Sequence, residues 1–77
     1  MWWHFKKYSE DETRIVYSYG YESHNQTGYI AYDLKTNSCI LLRLAEDSTE
    51  FSAQRAFQFV HRLIANGVPV EKQFATG

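Results

Sequence analysis

With one cysteine, one proline and four glycines in 77 residues, the chain lacks the raw material of several protein classes. A lone Cys39 cannot form an internal disulfide, and histidines at positions 4, 24 and 61 show none of the paired Cys/His spacing that structural zinc uses. So little Pro and Gly argues against a low-complexity or disordered chain. No run approaches the roughly 18 apolar residues of a membrane span. The first seven residues hold two Trp and two Lys but neither an apolar centre nor a small-residue cleavage site, so no signal peptide is expected. Charge is balanced as well, eight Lys and Arg against nine Asp and Glu for a net −1. That removes the broad electrostatic footprint of a protein that binds DNA or an anionic membrane. A soluble cytoplasmic protein with a reduced thiol is the expectation that follows. Length adds one more limit, since 77 residues are about half of a one-domain norm of roughly 150 and leave room for a single small domain over 1–77. At 9.1 kDa, its folded surface should be about 4,900 Å².

What the chain has in excess is aromatic rings: six Tyr, five Phe and two Trp make up 17% of it. Such rings favour strands, and surfaces that are apolar on one side and wet on the other. In residues 13–22, Ile15, Tyr17, Tyr19 and Tyr21 alternate with Arg14, Val16, Ser18 and Gly20, the period of a half-buried strand. Residues 28–34 repeat the pattern, with Ile30, Tyr32 and Leu34 on one parity and Tyr29, Ala31 and Asp33 on the other. A Lys35-Thr36-Asn37-Ser38 turn, whose Asn tolerates positive φ, leads to residues 39–44 and completes a hairpin. There Ile40, Leu42 and Leu44 oppose Cys39, Leu41 and Arg43. Trp2 to Tyr8 reads as a further strand, with aromatics on both parities and hence no assignable inward face. The acidic run at 9–12 and the polar run at 23–27 are the connecting turns.

The period changes at residue 47. Asp47-Ser48-Thr49-Glu50 has the form of a capping box. Ala53, Ala56, Phe57, Val60, Leu63 and Ile64 follow helical spacing, and Asn66-Gly67 supplies a left-handed cap, so a helix is predicted over 49–66. Residues 68–70 resume an extended path, and Phe74 is expected to tuck onto the core as a staple or a short turn. The element order predicts an α+β fold in two layers, an antiparallel meander sheet of three to four strands with one C-terminal amphipathic helix packed on one face.

One helix covers one face. The aliphatic alternation places Ile15, Tyr17, Tyr19, Ile30, Tyr32, Ile40, Leu42 and Leu44 under the helix, against Phe57, Val60 and Leu63. Val16, Tyr29, Ala31, Cys39 and Leu41, with one of the N-terminal tryptophans, then fall on the other face, which is too apolar for comfortable exposure. The expected role is a non-catalytic protein-interaction module that forms a homodimer, or docks a protein partner, through Val16, Tyr29, Ala31 and Leu41.

The segment Leu63-Ile64-Ala65-Asn66-Gly67-Val68-Pro69 resembles small uncharacterised proteins of Gram-positive bacteria in which a β-hairpin leads into one helix ending in an Asn-x-Val-x-Pro turn. The likeness covers about half of the chain. It departs from the pattern in placing Val68 directly before Pro69 and in lacking an acidic aromatic tail. It implies the hairpin-and-helix fold and a bacterial setting, and no activity.

Sites for chemistry are scarce. His4, His24 and His61 read as solvated side chains, Cys39 as a small half-buried apolar residue, and the carboxylates of Glu10, Asp11 and Glu12 as a solvated turn beside a sticky strand. No nucleophile has a base in evident reach, and no glycine-rich loop could cradle phosphate, so neither catalysis nor a cofactor, metal or small-molecule substrate is expected. The alternative function is nucleic-acid contact by the helix stripe of Arg55, Gln58 and Arg62, flanked by Gln54 and His61 and helped by Lys6 and Lys7. Two arginines neutralise few phosphates.

Overall fold

A computed structural model describes residues 2–21, 27–46 and 50–75. The elements are β1 (Trp2–Glu10), β2 (Arg14–Tyr21), β3 (Gly28–Asp33), β4 (Ser38–Arg43), helix α1 (Glu50–Ala65) and β5 (Glu71–Ala75). The strands form one sheet in the order β4-β3-β2-β1-β5, with every neighbouring pair antiparallel. The α+β expectation of an antiparallel sheet with one helix packed against it therefore holds, with five strands rather than three to four. The accessible surface is 4870 Å².

The added strand is β5, in which Phe74 is the one large apolar residue among Glu71, Lys72, Gln73 and Ala75. Such a segment carries no alternation of its own. Its pairing comes from the open edge of β1, where Trp3 meets Phe74 and Lys6 meets Glu71. The same pairing settles the ambiguous first strand: Trp3 and Phe5 point to the helix side, while Trp2 and His4 lie on the other parity. A register shift between Lys7 and Ser9 then carries β1 past Tyr8 to its last pair, Glu10 with Ile15.

Turn chemistry fixes the registers. At the β1–β2 turn, Asp11 Oδ1 accepts hydrogen bonds from the Thr13 amide at 2.8 Å, the Thr13 hydroxyl at 2.9 Å and the Arg14 amide at 2.8 Å. At the β3–β4 turn the Asn37 amide donates to the Asp33 carbonyl at 2.8 Å, and Asn37 takes a φ of 54°. Because Asp33 pairs with Ser38 across this turn of residues 34–37, Tyr32 faces Cys39 and Ile30 faces Leu41. The expected parity of β4 is thereby reversed: Cys39 and Leu41 pack toward the core, and Ile40, opposite Ala31, lies on the other face. Leu44 lies beyond the end of β4.

Helix α1 is described over 50–65, within the predicted 49–66 and ending one residue earlier; residues 47–49 of the capping box lie outside the described residues. It buries Ala53, Ala56, Phe59, Val60 and Leu63. It ends as a Schellman motif, with the Val68 amide bonded to the Leu63 carbonyl at 3.0 Å, the Gly67 amide to the Ile64 carbonyl at 3.4 Å, and Gly67 at φ 89°. Beneath the helix lies a ring cluster of Trp3, Phe5, Tyr19, Phe59 and Phe74. Phe59 stacks on Phe74 at 4.6 Å and leans on Trp3 at 5.7 Å and Phe5 at 6.1 Å.

Gly28 is required by this packing. Its partner Tyr19 lies across the start of β3 so that the Tyr19 hydroxyl accepts the Ala45 amide at 3.1 Å. A Cβ at position 28 would run into the Tyr19 ring and sit 2.7 Å from the Ala45 nitrogen. Gly28→Ala should thus cost about 1–3 kcal/mol as an overpacked site, and Leu63→Ala about 2–5 kcal/mol as a core cavity. Urea unfolding measures both. A loss below about 0.5 kcal/mol for Leu63→Ala, far under the cavity range, would contradict the packing of α1 on the sheet.

Candidate interaction face

The face of the sheet turned away from α1 is built by Trp2, His4, Lys6 and, past the register shift, Ser9 of β1, by the even-numbered residues of β2, and by Tyr29, Ala31, Asp33 and Ile40. One row runs Ile40, Ala31, Val16 and ends at Ser9; the next runs Tyr29, Ser18, Lys6 and Glu71. Tyr8 stands beside the first row, its ring edge-on to Tyr29 at 5.1 Å. Small residues form the floor. Ala31 is 0% exposed and Val16 8%, while Ser18 donates to the Lys6 carbonyl at 3.1 Å.

The residues expected to meet a partner are therefore placed differently from the sequence reading. Val16 and Ala31 lie on the uncovered face but are already buried in the single chain, and Tyr29 is half-buried there. Leu41 is on the helix side, packed against the core opposite Ile30, because the turn length and not the aliphatic alternation sets β4. Leu41 is half-buried against the core, so its substitution would disturb the packing under α1 and would not report on the outer face. The large apolar groups of this face that remain in solvent among the described residues are Trp2 at 52%, Tyr8 at 68% and Ile40 at 43%, with Leu42 at 46% bordering them at the β4 register shift. The parity of Tyr8, shared with Trp2 and His4, was the signal for its place. Ile40 could have been found by counting the turn residues.

Charges flank this patch in opposed pairs. Lys6 is across from Glu71 on one side, and Arg14 across from Asp33 on the other. Each flank carries one charge of each sign, so two such faces can meet without a net like-charge field.

The other candidates are dispersed. His4 is buried on the outer face between Gly20 and Gln73, which corrects its reading as a solvated side chain. His61 is exposed on α1 with its ring edge-on to Tyr32 at 5.3 Å, and His24 lies outside the described residues. Cys39 points its sulfur at the Phe57 carbonyl, 3.7 Å away, and burial pushes the thiol up to about 11. Asp11 is spent on its turn, where the hydrogen bonds from Thr13 hold its carboxyl below the usual range, and Glu10 pairs with Lys7 at 2.8 Å. Among the described residues no three His, Cys, Asp or Glu side chains come together as a metal site, and no helix is long and apolar enough to cross a membrane. Arg55, Gln58 and Arg62 do share one exposed side of α1, with the Arg62 guanidinium 5.9 Å above the Phe59 ring.

No family model, curated protein or solved structure matches the chain. The likeness at residues 63–69 thus carries no family assignment.

Two outcomes follow from these local environments. A thiol held near 11 is almost wholly protonated at pH 8, so Cys39 in the folded chain should react with a thiol reagent at least tenfold more slowly than in urea; equal rates would contradict its packing. Tyr17, buried with its hydroxyl donating to the Pro69 carbonyl at 2.6 Å, is pushed up to about 12, by burial first and the Glu10 carboxylate second. With its folded value above the ordinary 10.0, the stability it contributes is complete below pH 10 and is lost as the pH rises toward 12. Tyr17→Phe should cost about 1–2 kcal/mol at pH 7, where the bond is lost, and should flatten that alkaline decline in a pH series of urea melts.

Proposed function

We propose that this chain is a non-catalytic protein-interaction module that pairs with a second copy of itself through the outer face of its sheet. The observation that carries the reading is the location of the exposed apolar groups. Of the large hydrophobics in solvent among the described residues, Trp2, Tyr8 and Ile40 stand on that face and Leu42 borders it; Val70 lies apart, just before β5. The opposite face is already occupied by α1, and balanced charge pairs frame the patch. A two-fold pairing would bury the patch twice with one surface. It would also supplement the core of a chain this short. A cytoplasmic setting fits the single thiol.

Ile40→Glu tests the reading, because a carboxylate buried by such a pairing has no partner there. Wild-type protein is expected to sediment as a dimer whose melting temperature rises with concentration, and the variant as a folded monomer without that dependence. A wild type that is monomeric at high micromolar concentration would overturn self-pairing. The second reading, nucleic-acid contact, rests on the exposed alignment of Arg55, Gln58 and Arg62. It requires oligonucleotide binding that weakens steeply with salt and vanishes when both arginines become Glu.

A further inference from the structure

We propose that β5 is an exchangeable strand, so that in a pair of chains β5 of each copy lies against the β1 edge of the other. This inference does not depend on pairing through the outer face. It rests on how β5 is joined and how lightly it is held.

The join is strained. Between the end of α1 at Ala65 and the start of β5 at Glu71, Gly67 and Val68 adopt φ values of 89° and 55° in succession. Glycine accepts such a value freely. Val68 is β-branched, for which the left-handed region is a true outlier, and it directly precedes Pro69, a position where sterics drive the backbone toward an extended conformation. The reversal into β5 in the single chain is imposed on a residue whose own preference is to continue straight. Short hinge loops under strain favour exchange of the element that follows them.

The strand itself is anchored by few groups. Glu71, Lys72, Gln73 and Ala75 are exposed, and Phe74 is the one side chain of β5 that packs on the ring cluster. A pocket of about 330 Å³, partly open to solvent, is bordered by Leu63, Asn66, Pro69, Lys72 and Phe74, so beyond the Phe59–Phe74 stack the strand is not packed closely along the helix end. Segments with so few buried contacts open at the low end of the local stability range. Once open, β5 leaves a complete strand edge on β1, which a second copy's β5 fits in register, Lys6 meeting Glu71 and Trp3 meeting Phe74. Closed and exchanged forms share those contacts, and they differ mainly at the hinge, where the exchanged form lets Val68 extend.

The test uses Lys6→Cys and Glu71→Cys in a chain that also carries Cys39→Ala and Ile40→Glu, the latter removing the outer-face pairing. The Lys7 amide bonds the Val70 carbonyl at 2.7 Å, which makes Lys6 and Glu71 a non-hydrogen-bonded pair with side chains close enough to bridge. The protein is unfolded, refolded at low and at high concentration, oxidised, and resolved on a denaturing gel without reductant. Exchange is expected to give disulfide-linked dimers whose share grows with concentration. Adding Val68→Gly should lower that share about fivefold or more, since the closed hinge is then unstrained. An intrachain bond alone at every concentration, or a dimer share unchanged by Val68→Gly, overturns the proposal. If the first pair hinders folding, cysteines at His4 and Gln73, in the alternate register position of the same kind, read the same result. An interchain bond in the Ile40→Glu chain cannot come from outer-face pairing, so the two readings fail separately.

Discussion

One helix must cover a five-stranded sheet, and the rest of the molecule is arranged around that shortage. Sixteen residues of α1 make a rod about 24 Å long, against roughly 19 Å between the outermost strand axes. That suffices for one face. The covered side can therefore hold the large rings, with Phe59 as the shared neighbour of Trp3, Phe5 and Phe74, so that a single helical side chain binds both β1 and the late-arriving β5. The excess of aromatics has its explanation here: rings reach across strand spacings that aliphatic side chains from one helix would leave empty.

The uncovered side solves a different problem. Its floor is made of Ala31, Ser18 and Gly20, small enough to be shaded by the side chains around them, while Ile40, Tyr8 and Trp2 remain in solvent at its margins. A face with such a floor is neither a polar exterior nor a second core. Its burial of Val16 at 8% exposure, with no layer above it among the described residues, shows how far lateral contact within one sheet can replace a covering helix.

Much of this was legible in the residues. The alternation of Ile15, Tyr17 and Tyr19 and of Ile30 and Tyr32 marks two strands and their inward sides, because a two-residue period has only one apolar parity there. The helix was marked by its apolar spacing and by Gly67. β4 was misread because Cys39 to Leu44 is apolar on both parities, and then hydrophobicity cannot choose; the count of residues in the turn from Asp33 to Ser38 does. β5 was missed for the opposite reason, having almost no apolar signal, since its strand character resides in the edge of β1. The burial of His4 follows from that same late pairing. Val16, Tyr29 and Ala31 lie on the side away from α1, as their parity implied, but which apolar atoms reach solvent depends on the height of neighbouring side chains, and no one-dimensional pattern contains that.

The pairing of β1 with β5 also sets an order of events. Glu71 follows Lys6 by 65 positions, so at a synthesis rate of about 5–20 residues per second some 3 to 13 s separate the appearance of the two partners. Until β5 has been added, the far side of β1 is a row of unmatched amides and carbonyls. The edge of β1 is thus a template for any extended segment, this chain's or another's, until β5 occupies it.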